Sequence, residues 1–432
     1  MMTALQSPVA TARFEQQTPT RQWTQAQRWL VGGVNSPVRA FRHVGGTPLI
    51  LVDGRKAEVV DVTERLFVDF IMGWGALLLG HQPPMVMRAL REALRHGTML
   101  GLTHPAEIEL ARLIAQAVPS VEQVRFTASG TEACFTAVKL ARAHTGRTAI
   151  LTFDGCYHGH GESLIAHHSA GIPGVLASET LRIPYHDLEA LEATMRRVGD
   201  RLACVIIEPV AANMGVIAPQ PAYLARLRAL TRHHGIVLIF DEVVTGFRVG
   251  FSGAQGLFGV RADLTTFGKI IGGGLPIGAV GGPRILMQRL APEGDVYHGG
   301  TFAGHPLSMA AGVATLTTLK THPPYERLEA LSQRLAQGLL EAAGDHAIPV
   351  QVHRVGSMLT VFFSSKPVRN VDDVKASRRD HFARWATALR EQGVLIPPSP
   401  YEAMCVSTAH TSLHVTRCVE AAREAFRSLA AT

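Results

Sequence analysis

An α/β fold is the architecture that the sequence predicts: a large, mostly parallel sheet with helices on both faces, and a smaller α+β domain built from both termini. Two observations predict it. Through the middle of the chain, short β-branched runs alternate with longer helical stretches, which is typical of a parallel sheet crossed by helices. After about residue 315 the pattern changes, and helical stretches over Tyr325–Ala343 and Val371–Gln392 flank a strand-like segment, Met358–Phe363.

The N-terminal part of the chain is expected to pack with the small domain. Val59–Val62 and Leu66–Ile71 are predicted as short strands, whereas the glycines and the proline of Val31–Phe41 predict a shaped loop. We therefore divide the chain into an N-terminal segment (1–65), a large domain (66–315) and a C-terminal small domain (316–432).

Five runs are predicted as strands of the large sheet, with a helix from Glu132 to His144 after the first. The runs are Val124–Thr127, Ala149–Phe153, Ala203–Ile207, Ile236–Phe240 and Leu264–Phe267. Residues with useful chemistry follow several of these runs directly or closely: Ser129, Glu208, Asp241 and Lys269. Because ligands of open α/β sheets bind beyond the carboxyl ends of the strands, we expect these side chains to converge on one crevice.

Composition and charge exclude several classes of protein. With 432 residues, 47% of them hydrophobic, the chain is too apolar for a disordered segment. Its net charge of +7 favours anionic ligands, but the basic residues are dispersed, so we expect no nucleic-acid partner. Five cysteines without a CxxC pair predict neither a disulfide scaffold nor a zinc ribbon. We expect no membrane span, no secretory signal and a cytoplasmic location.

The turn Ser129-Gly130-Thr131 follows a predicted strand and opens a predicted helix. Backbone N–H groups and the helix dipole hold phosphate groups at such places, and the two hydroxyls would add hydrogen bonds. An ordinary helix start with a Ser or Thr cap gives the same string, so the turn alone leaves both interpretations open.

Asp241 and Lys269 are the two charged residues whose surroundings are unusual. Asp241 ends an apolar run, where a carboxylate is costly unless a cation such as a protonated pyridine nitrogen pairs with it. A capping or salt-bridged aspartate is the alternative. Lys269 lies among glycines and apolar residues, and partial desolvation there would favour the neutral amine that forms a Schiff base. A surface lysine is its alternative.

Histidine pairs raise the question of a metal site. The pairs are His158 and His160, His167 and His168, and His233 and His234. No carboxylate or third histidine follows at a regular spacing, so we predict no metal site. Tyr157 is instead predicted as an aromatic surface for a ring.

In this order, the SGT turn, Tyr157, Asp241 and Lys269 resemble the class III aminotransferase group of pyridoxal-phosphate enzymes, which has fold type I. Within that group the chain resembles the glutamate-1-semialdehyde 2,1-aminomutase family above all. The similar segments run in the same order from Val31 to about His410: GGVNSPVRAF, GWGALLLGH, SGTEA, GCYHGH, EPVAANMG, IFDEVVTGFRVG, DLTTFGKIIGGGLPIGA, GGTFAGHPLSMAAG, GSMLTVFF and YEAMCVSTAH.

The resemblance implies a role for each matching residue. Lys269 would carry pyridoxal 5'-phosphate as a Schiff base, Asp241 would pair with its ring nitrogen and Tyr157 would stack on the ring. Other cofactor contacts would come from Ser129, Gly130, Thr131, His158, Glu208 and Val243, with Thr301 reaching the phosphate from the second subunit of a homodimer. Substrate contacts would come from Ser36, Arg39, Trp74, Asn213 and Glu402, with Ser36 and Arg39 on the substrate carboxylate.

The chain departs from the aminomutase pattern in three places. The stretch between Tyr157 and Asp187 is shorter by about ten residues than the resemblance implies, and the family carries its mobile active-site lid there. Residues 101–107, GLTHPAE, look more like transaminases that act on β- or aryl-amino acids, and Ala128 replaces the usual Asn. A shorter lid would let the diamine intermediate escape.

Three hypotheses of function follow. The leading one is intramolecular amine transfer through the pyridoxamine 5'-phosphate form of the cofactor, which converts glutamate 1-semialdehyde to 5-aminolevulinate. The alternative is an intermolecular class III transaminase that acts on a β-amino or related amino acid. A third, from another class, is a cofactor-free binding or structural protein, which the presence of both Lys269 and Asp241 disfavours.

Overall fold

The computed structural model describes residues 19–165 and 169–431. Its strands, in chain order, are β1 (Leu51–Arg55), β2 (Glu58–Asp61), β3 (Leu66–Asp69), β4 (Gln123–Thr127), β5 (Ala149–Phe153), β6 (Thr180–Ile183), β7 (Leu202–Ile207), β8 (Val237–Asp241), β9 (Leu264–Gly268), β10 (Gly278–Gly282), β11 (Gln351–Val355), β12 (Met358–Phe362), β13 (Val394–Leu395) and β14 (Met404–Cys405).

Helices cover both faces of the large sheet and build much of the C-terminal part. In chain order they are α1 (Pro19–Trp29), α2 (Pro84–Leu94), α3 (Pro105–Ala117), α4 (Gly130–Thr145), α5 (Gly174–Ser178), α6 (Leu188–Val198), α7 (Tyr223–His233), α8 (Gly253–Phe258), α9 (Arg284–Met287), α10 (Pro306–Thr321), α11 (Tyr325–Gly344), α12 (Val371–Ala376), α13 (Arg379–Glu391) and α14 (Ser412–Ala430).

The large sheet has the strand order β4-β10-β9-β8-β7-β5-β6. The strands from β9 to β6 run parallel, whereas β10 is antiparallel to both β4 and β9. Every residue of β5, β7, β8 and β9 is buried, as expected where helices cover both faces of a parallel sheet. The predicted α/β fold class is therefore confirmed.

All five predicted runs lie in this sheet, but the sequence does not predict β6 or β10. The segment GAVGG of β10 indicates a loop when its composition alone is considered. In the structure its glycines allow close packing, because a Cβ on Gly281 would lie 2.8 Å from a methyl carbon of Val121.

Two smaller sheets involve the ends of the described chain. The N-terminal strands β1, β2 and β3 form one sheet with the C-terminal strand β13, which pairs parallel to β3. The other consists of β11, β12 and β14. Val31–Phe41 contains two short 3₁₀ turns, Val31–Gly33 and Pro37–Ala40. Pairing of N- and C-terminal strands supports packing of the two ends together, while the boundaries at residues 65 and 315 stay predictions.

The helical pattern over Val371–Gln392 is divided into two helices, α12 and α13. The break is at Ser377, whose backbone is extended and whose Oγ donates a hydrogen bond of 2.6 Å to the carbonyl oxygen of Val374. A serine hydroxyl that binds a nearby carbonyl competes with the helical hydrogen bonds. The amide of Arg378, the residue before α13, donates to the carbonyl of Phe363 at 2.9 Å instead of to a carbonyl of α12.

None of the helices within 19–165 and 169–431 combines the length and the apolar character that a membrane span requires.

Candidate active site

A cavity of about 410 Å³ lies at the carboxyl edge of the large sheet, and we call it the central cavity. It forms there because β4, β7, β8 and β9 all end at this edge. The predicted site residues in its wall are Ser129, Gly130, Thr131, Tyr157, His158, Glu208, Asn213, Asp241, Val243 and Lys269. The structure thus brings together the strand-end residues that the sequence places in one crevice.

One end of the central cavity is the N-terminus of α4. Ser129 caps this helix, since its Oγ accepts a hydrogen bond from the amide of Glu132 at 3.3 Å. The cap leaves other N–H groups of the first turn without helical partners, and these are the donors that bind an anion. A Cβ on Gly130 would lie 3.1 Å from two methyl carbons of Val243, so glycine allows the helix start to approach the end of β8. The capping and phosphate-binding interpretations are therefore compatible.

Asp241, the last residue of β8, is 4% exposed. Its Oδ2 lies 2.7 Å from His158 Nδ1 and accepts a hydrogen bond from Cys134 Sγ at 3.4 Å. Its Oδ1 accepts from the amide of Val243 at 3.0 Å and from Thr266 Oγ1 at 3.3 Å. Burial alone would raise the pKa of Asp241, but the hydrogen bond and charge of His158 lower it below its ordinary value. The carboxylate is therefore negatively charged at neutral pH.

Lys269 follows β9 directly, with a backbone φ of +47°. Left-handed conformations cost a residue with a Cβ about 1 kcal/mol and are concentrated at functional sites. The half-buried side chain lines the central cavity, and no hydrogen bond joins its Nζ to a residue that the structure describes. An amine in this position is available to bond covalently with a carbonyl group.

Glu208 and Tyr157 form the side of the cavity next to Asp241. The carboxylate of Glu208 is buried and accepts hydrogen bonds from the amides of Tyr157 and Ala212, each at 2.8 Å. Burial raises the pKa of Glu208, against the lowering effect of the nearby His158. Tyr157 is half exposed, so its ring is accessible from the cavity.

Glu402 interacts with this site through its charge. Burial raises the pKa of Glu402 to about 7, the charge of Lys269 acts in the opposite direction, and the negative charge of Glu208 raises the pKa further. Glu402 is thus close enough to Lys269 and Glu208 to respond to both, and it exchanges a proton near neutral pH.

Five predicted site residues lie outside the wall of the central cavity, and Glu402 is one of them. Arg39 is exposed and Ser36 is half-buried in the loop before β1, while Trp74 is half-buried next to Ala76, which does line the cavity. Thr301 is exposed and lines a neighbouring cavity of about 650 Å³ that shares Ser129 and Thr131 with the central one. The single chain therefore places Thr301 beside the N-terminus of α4, which is the predicted phosphate end of the central cavity. The predicted carboxylate contacts, Ser36 and Arg39, do not line the central cavity.

Two residues that contact Asp241 were not predicted from the sequence. Cys134 and Thr266 both contact the carboxylate of Asp241, and Cys134 also lines the cavity. Cys134 lies one turn after Gly130 in α4, on the same helix face, which is a signal that the sequence does contain. Thr266 lies opposite Asp241 in the register of β8 and β9, which no sequence pattern reveals.

The structure describes two of the three histidine pairs and part of the shortened stretch between Tyr157 and Asp187. Within the described residues, no three His, Cys, Asp or Glu side chains are grouped so that they could hold a metal ion. His158 instead pairs with Asp241. His167 and His168 lie outside the described residues, as does Ala166, so the structure describes only part of the predicted lid stretch.

Known proteins are similar to this chain over most of its length. The sequence profile of the family described as aminotransferase class-III matches residues 41–417. A glutamate-1-semialdehyde 2,1-aminomutase of Thermomicrobium roseum is 49% identical over 419 residues, which cover 94% of this chain and 97% of the relative.

Two solved structures are similar along almost the whole chain. An omega-transaminase from Sphaerobacter thermophilus has a TM-score of 0.90 at 34% identity and covers 96% of this chain and 98% of its own. A glutamate-1-semialdehyde aminomutase from Pseudomonas aeruginosa PAO1 has a TM-score of 0.84 at 26% identity and covers 96% of this chain and 95% of its own. The solved structures thus include both an aminomutase and a transaminase.

Proposed function

Since the chain belongs to the class III aminotransferase family, and is thus a pyridoxal-phosphate enzyme of fold type I, we propose that it moves an amine within glutamate 1-semialdehyde to form 5-aminolevulinate. One observation carries this proposal: three chemical groups meet in a single cavity. They are the charged, buried carboxylate of Asp241, the amine of Lys269 and the N-terminus of α4. The amine of Lys269 has no hydrogen-bond partner among the described residues. The relatives named as aminomutases supply the specific reaction.

The residues present fit the cofactor. Asp241 offers a carboxylate that stays ionised in a buried place, which suits a protonated ring nitrogen. His158 Nδ1 contacts that carboxylate, and its buried Nε2 has no hydrogen-bond partner among the residues that the structure describes. The hydroxyls and amides at residues 129–131 suit a phosphate, and Lys269 Nζ suits an aldehyde carbon.

When bound, pyridoxal phosphate supplies an electron sink and a carrier for the amine. The protein contributes position and protons. Asp241 would keep a proton on the ring nitrogen, Lys269 Nζ would bind the cofactor and move protons, and the accessible ring of Tyr157 would pack against the cofactor. Glu402, whose pKa is about 7, accepts or donates a proton near Lys269 at neutral pH.

The substrate is a small amino compound with a carboxylate. We propose that Arg39 and Ser36 bind the carboxylate, and that Trp74, Asn213 and Glu402 shape the rest of the pocket. Carboxylate binding by a forked guanidinium is specific and strong. If one end of the substrate is anchored, the second amine transfer becomes effectively unimolecular.

We also propose a homodimer with shared active sites in a reducing compartment such as the cytoplasm. Thr301 lies in an exposed loop with Tyr297 and Phe302, which are 75% and 60% exposed. Exposed aromatic side chains beside a site support contact with another subunit. All five cysteines are free, which supports a reducing environment.

An intermolecular transaminase is the second candidate. The similarity to the omega-transaminase at 34% identity and a TM-score of 0.90 favours it, as does the segment GLTHPAE at residues 101–107. The two candidates differ in whether a second amino compound is needed.

The deciding experiment supplies glutamate 1-semialdehyde to the enzyme in its pyridoxamine phosphate form, with no other amino compound. Continuous formation of 5-aminolevulinate supports the proposal. Semialdehyde that is consumed once per active site without 5-aminolevulinate, and further only when a β-amino or other amino acid is added, would establish the transaminase instead.

A further inference from the structure

Four consecutive residues next to the central cavity have left-handed backbone conformations. The φ angles of Met72, Gly73, Trp74 and Gly75 are +48°, +60°, +59° and +86°. We call residues 72–75 the left-handed turn. Met72 and Trp74 carry Cβ atoms that disfavour this conformation, so the turn persists only where its surroundings hold it. The next residue, Ala76, lines the central cavity.

The first half of the turn is held by Asp69, at the end of β3. Its Oδ1 accepts hydrogen bonds from the amide of Ile71 at 2.7 Å and from the amide of Met72 at 3.2 Å. The side chain of Met72 is fully buried in a cluster with Met358 and Cys405. These contacts fix where the turn begins.

The second half is held by Arg248. Its Nη2 donates a hydrogen bond of 2.6 Å to the carbonyl oxygen of Gly75, and its Nη1 donates to Ser357 Oγ at 3.0 Å and to the carbonyl of Val406 at 3.4 Å. Arg248 is 1% exposed. The guanidinium therefore connects the turn to two segments of the C-terminal part of the chain.

This arginine is unusual because it is buried without an opposite charge. No carboxylate of residues 19–165 or 169–431 forms an ion pair with Arg248, and every acceptor that it contacts is neutral. Burying a charge in this way is costly, and because the buried Nε has no hydrogen-bond partner among the described residues, only the bonds of Nη1 and Nη2 offset that cost. The forked guanidinium can reach several acceptors at once, which a lysine amine at the same place could not match.

We propose that Arg248 is a positioning residue for the substrate, acting through the left-handed turn. It fixes the position of Trp74 and, through it, of Ala76 in the wall of the central cavity, without touching the substrate itself. Arg248 also lies seven residues after Asp241 in one compact segment, and Val243 and Val244 of that segment line the same cavity. The turn that precedes Ala76 is therefore linked to the segment that begins with Asp241.

The inference rests on the proposed function for its substrate, and its physical part can be tested separately. In Arg248→Met holoenzyme, we expect faster hydrogen exchange of the backbone amides of residues 70–78, because the carbonyl of Gly75 loses its donor. We expect KM for the amino substrate to rise about tenfold, with kcat and the cofactor absorption spectrum changed by less than about twofold.

Arg228→Met is the matched control. Arg228 is also buried, at 8% exposed, but its Nη1 pairs with Asp263 Oδ2 at 2.7 Å, and it does not line the central cavity. Its loss should lower the melting temperature and leave both KM and the exchange of residues 70–78 unchanged. If Arg248→Met also lowers the melting temperature but leaves KM and the exchange of residues 70–78 unchanged, its role is merely structural and the proposal is overturned.

Gly75→Ala tests the turn without changing the arginine, should Arg248→Met fail to fold. The added Cβ would lie 3.5 Å from Cys405 Sγ, an ordinary contact, but the φ of +86° is unfavourable for alanine. We expect the same rise in KM and the same faster exchange, and an unchanged KM would overturn the proposal. If the wild-type enzyme does not convert the semialdehyde, the proposed function fails, while hydrogen exchange still decides the role of Arg248.

Discussion

His158 Nδ1 lies 2.7 Å from Asp241 Oδ2, and both side chains are almost fully buried at the carboxyl end of β8. The pair shows how a carboxylate can stay charged in an apolar part of the fold. Without a partner, burial would raise the pKa of Asp241, whereas the histidine lowers it. A charged Asp241 is the state that the proposed pairing with a ring nitrogen requires.

The first prediction concerns this carboxylate. Asp241→Asn should fold but lose about a thousandfold or more in turnover, because an amide cannot keep the ring nitrogen protonated. Steady-state kinetics and the far-ultraviolet circular dichroism spectrum check activity and folding together. Near-normal turnover in the folded variant would contradict the ring-nitrogen role.

The second prediction concerns Lys269. Lys269→Ala should abolish turnover and the absorption band of the covalently bound cofactor, because no other lysine lies between Lys139 and Lys320. Lys320→Ala is the control, since Lys320 is exposed, does not line the central cavity and donates a hydrogen bond to Gln116 Oε1. The assignment is wrong if the alanine variant at 269 completes catalytic cycles at a normal rate.

Much of this site could be predicted because its residues follow strand ends. Asp241 and Lys269 come directly after apolar runs, and their position at one sheet edge follows from the α/β pattern. The contacts that other side chains make around these residues could not be predicted. Thr266 reaches Asp241 only through strand register, and the hydrogen bond of Arg248 to Gly75 joins residues 173 positions apart. Glycine-rich β10 was missed because its glycines serve close packing rather than a turn.

The third prediction concerns pH and Glu402. Burial raises the pKa of Glu402 to about 7 in the folded protein, so between about pH 5 and pH 7 the folded state binds more protons than the unfolded state. The free energy of unfolding should therefore fall as the pH rises through this range. Glu402→Gln removes this dependence, and relative to wild type the variant should gain on the order of 3 kcal/mol from pH 5 to pH 8.

Urea unfolding at the two pH values measures this difference. Glu189→Gln is the control, because Glu189 is an exposed residue of α6. If the wild-type and Glu402→Gln curves stay parallel across the range, Glu402 does not hold a raised pKa.

The fourth prediction is that the enzyme is a homodimer at assay concentration. The exposed loop with Tyr297, Thr301 and Phe302 beside the phosphate end would become buried against a second subunit. Phe302→Glu should shift sedimentation toward the monomer and lower activity, whereas Leu413→Glu, at an equally exposed apolar residue of α14, should do neither. A fully active wild-type monomer would refute the dimer.

The last prediction concerns how well the enzyme retains its diamine intermediate. The proposed anchoring of one carboxylate by Arg39 and Ser36 would favour retention, because the second transfer would then be effectively unimolecular. The stretch between Tyr157 and Asp187, shorter than the aminomutase pattern by about ten residues, favours escape, because less chain is available to cover the cavity. We expect both effects: many turnovers per active site, accompanied by a slow conversion of the cofactor to its aldehyde form.

The measurement starts with pyridoxamine-loaded enzyme and the semialdehyde alone, and it counts 5-aminolevulinate per active site while the cofactor absorption is followed. Activity lost through escape of the diamine should return when pyridoxamine phosphate is added, since only the cofactor form has changed. Full retention, with no change in the cofactor spectrum over many turnovers, would show that the shorter stretch still closes the cavity. If one semialdehyde per active site is consumed without formation of 5-aminolevulinate, and consumption resumes only with an external amino acid, the diamine always leaves before its second transfer.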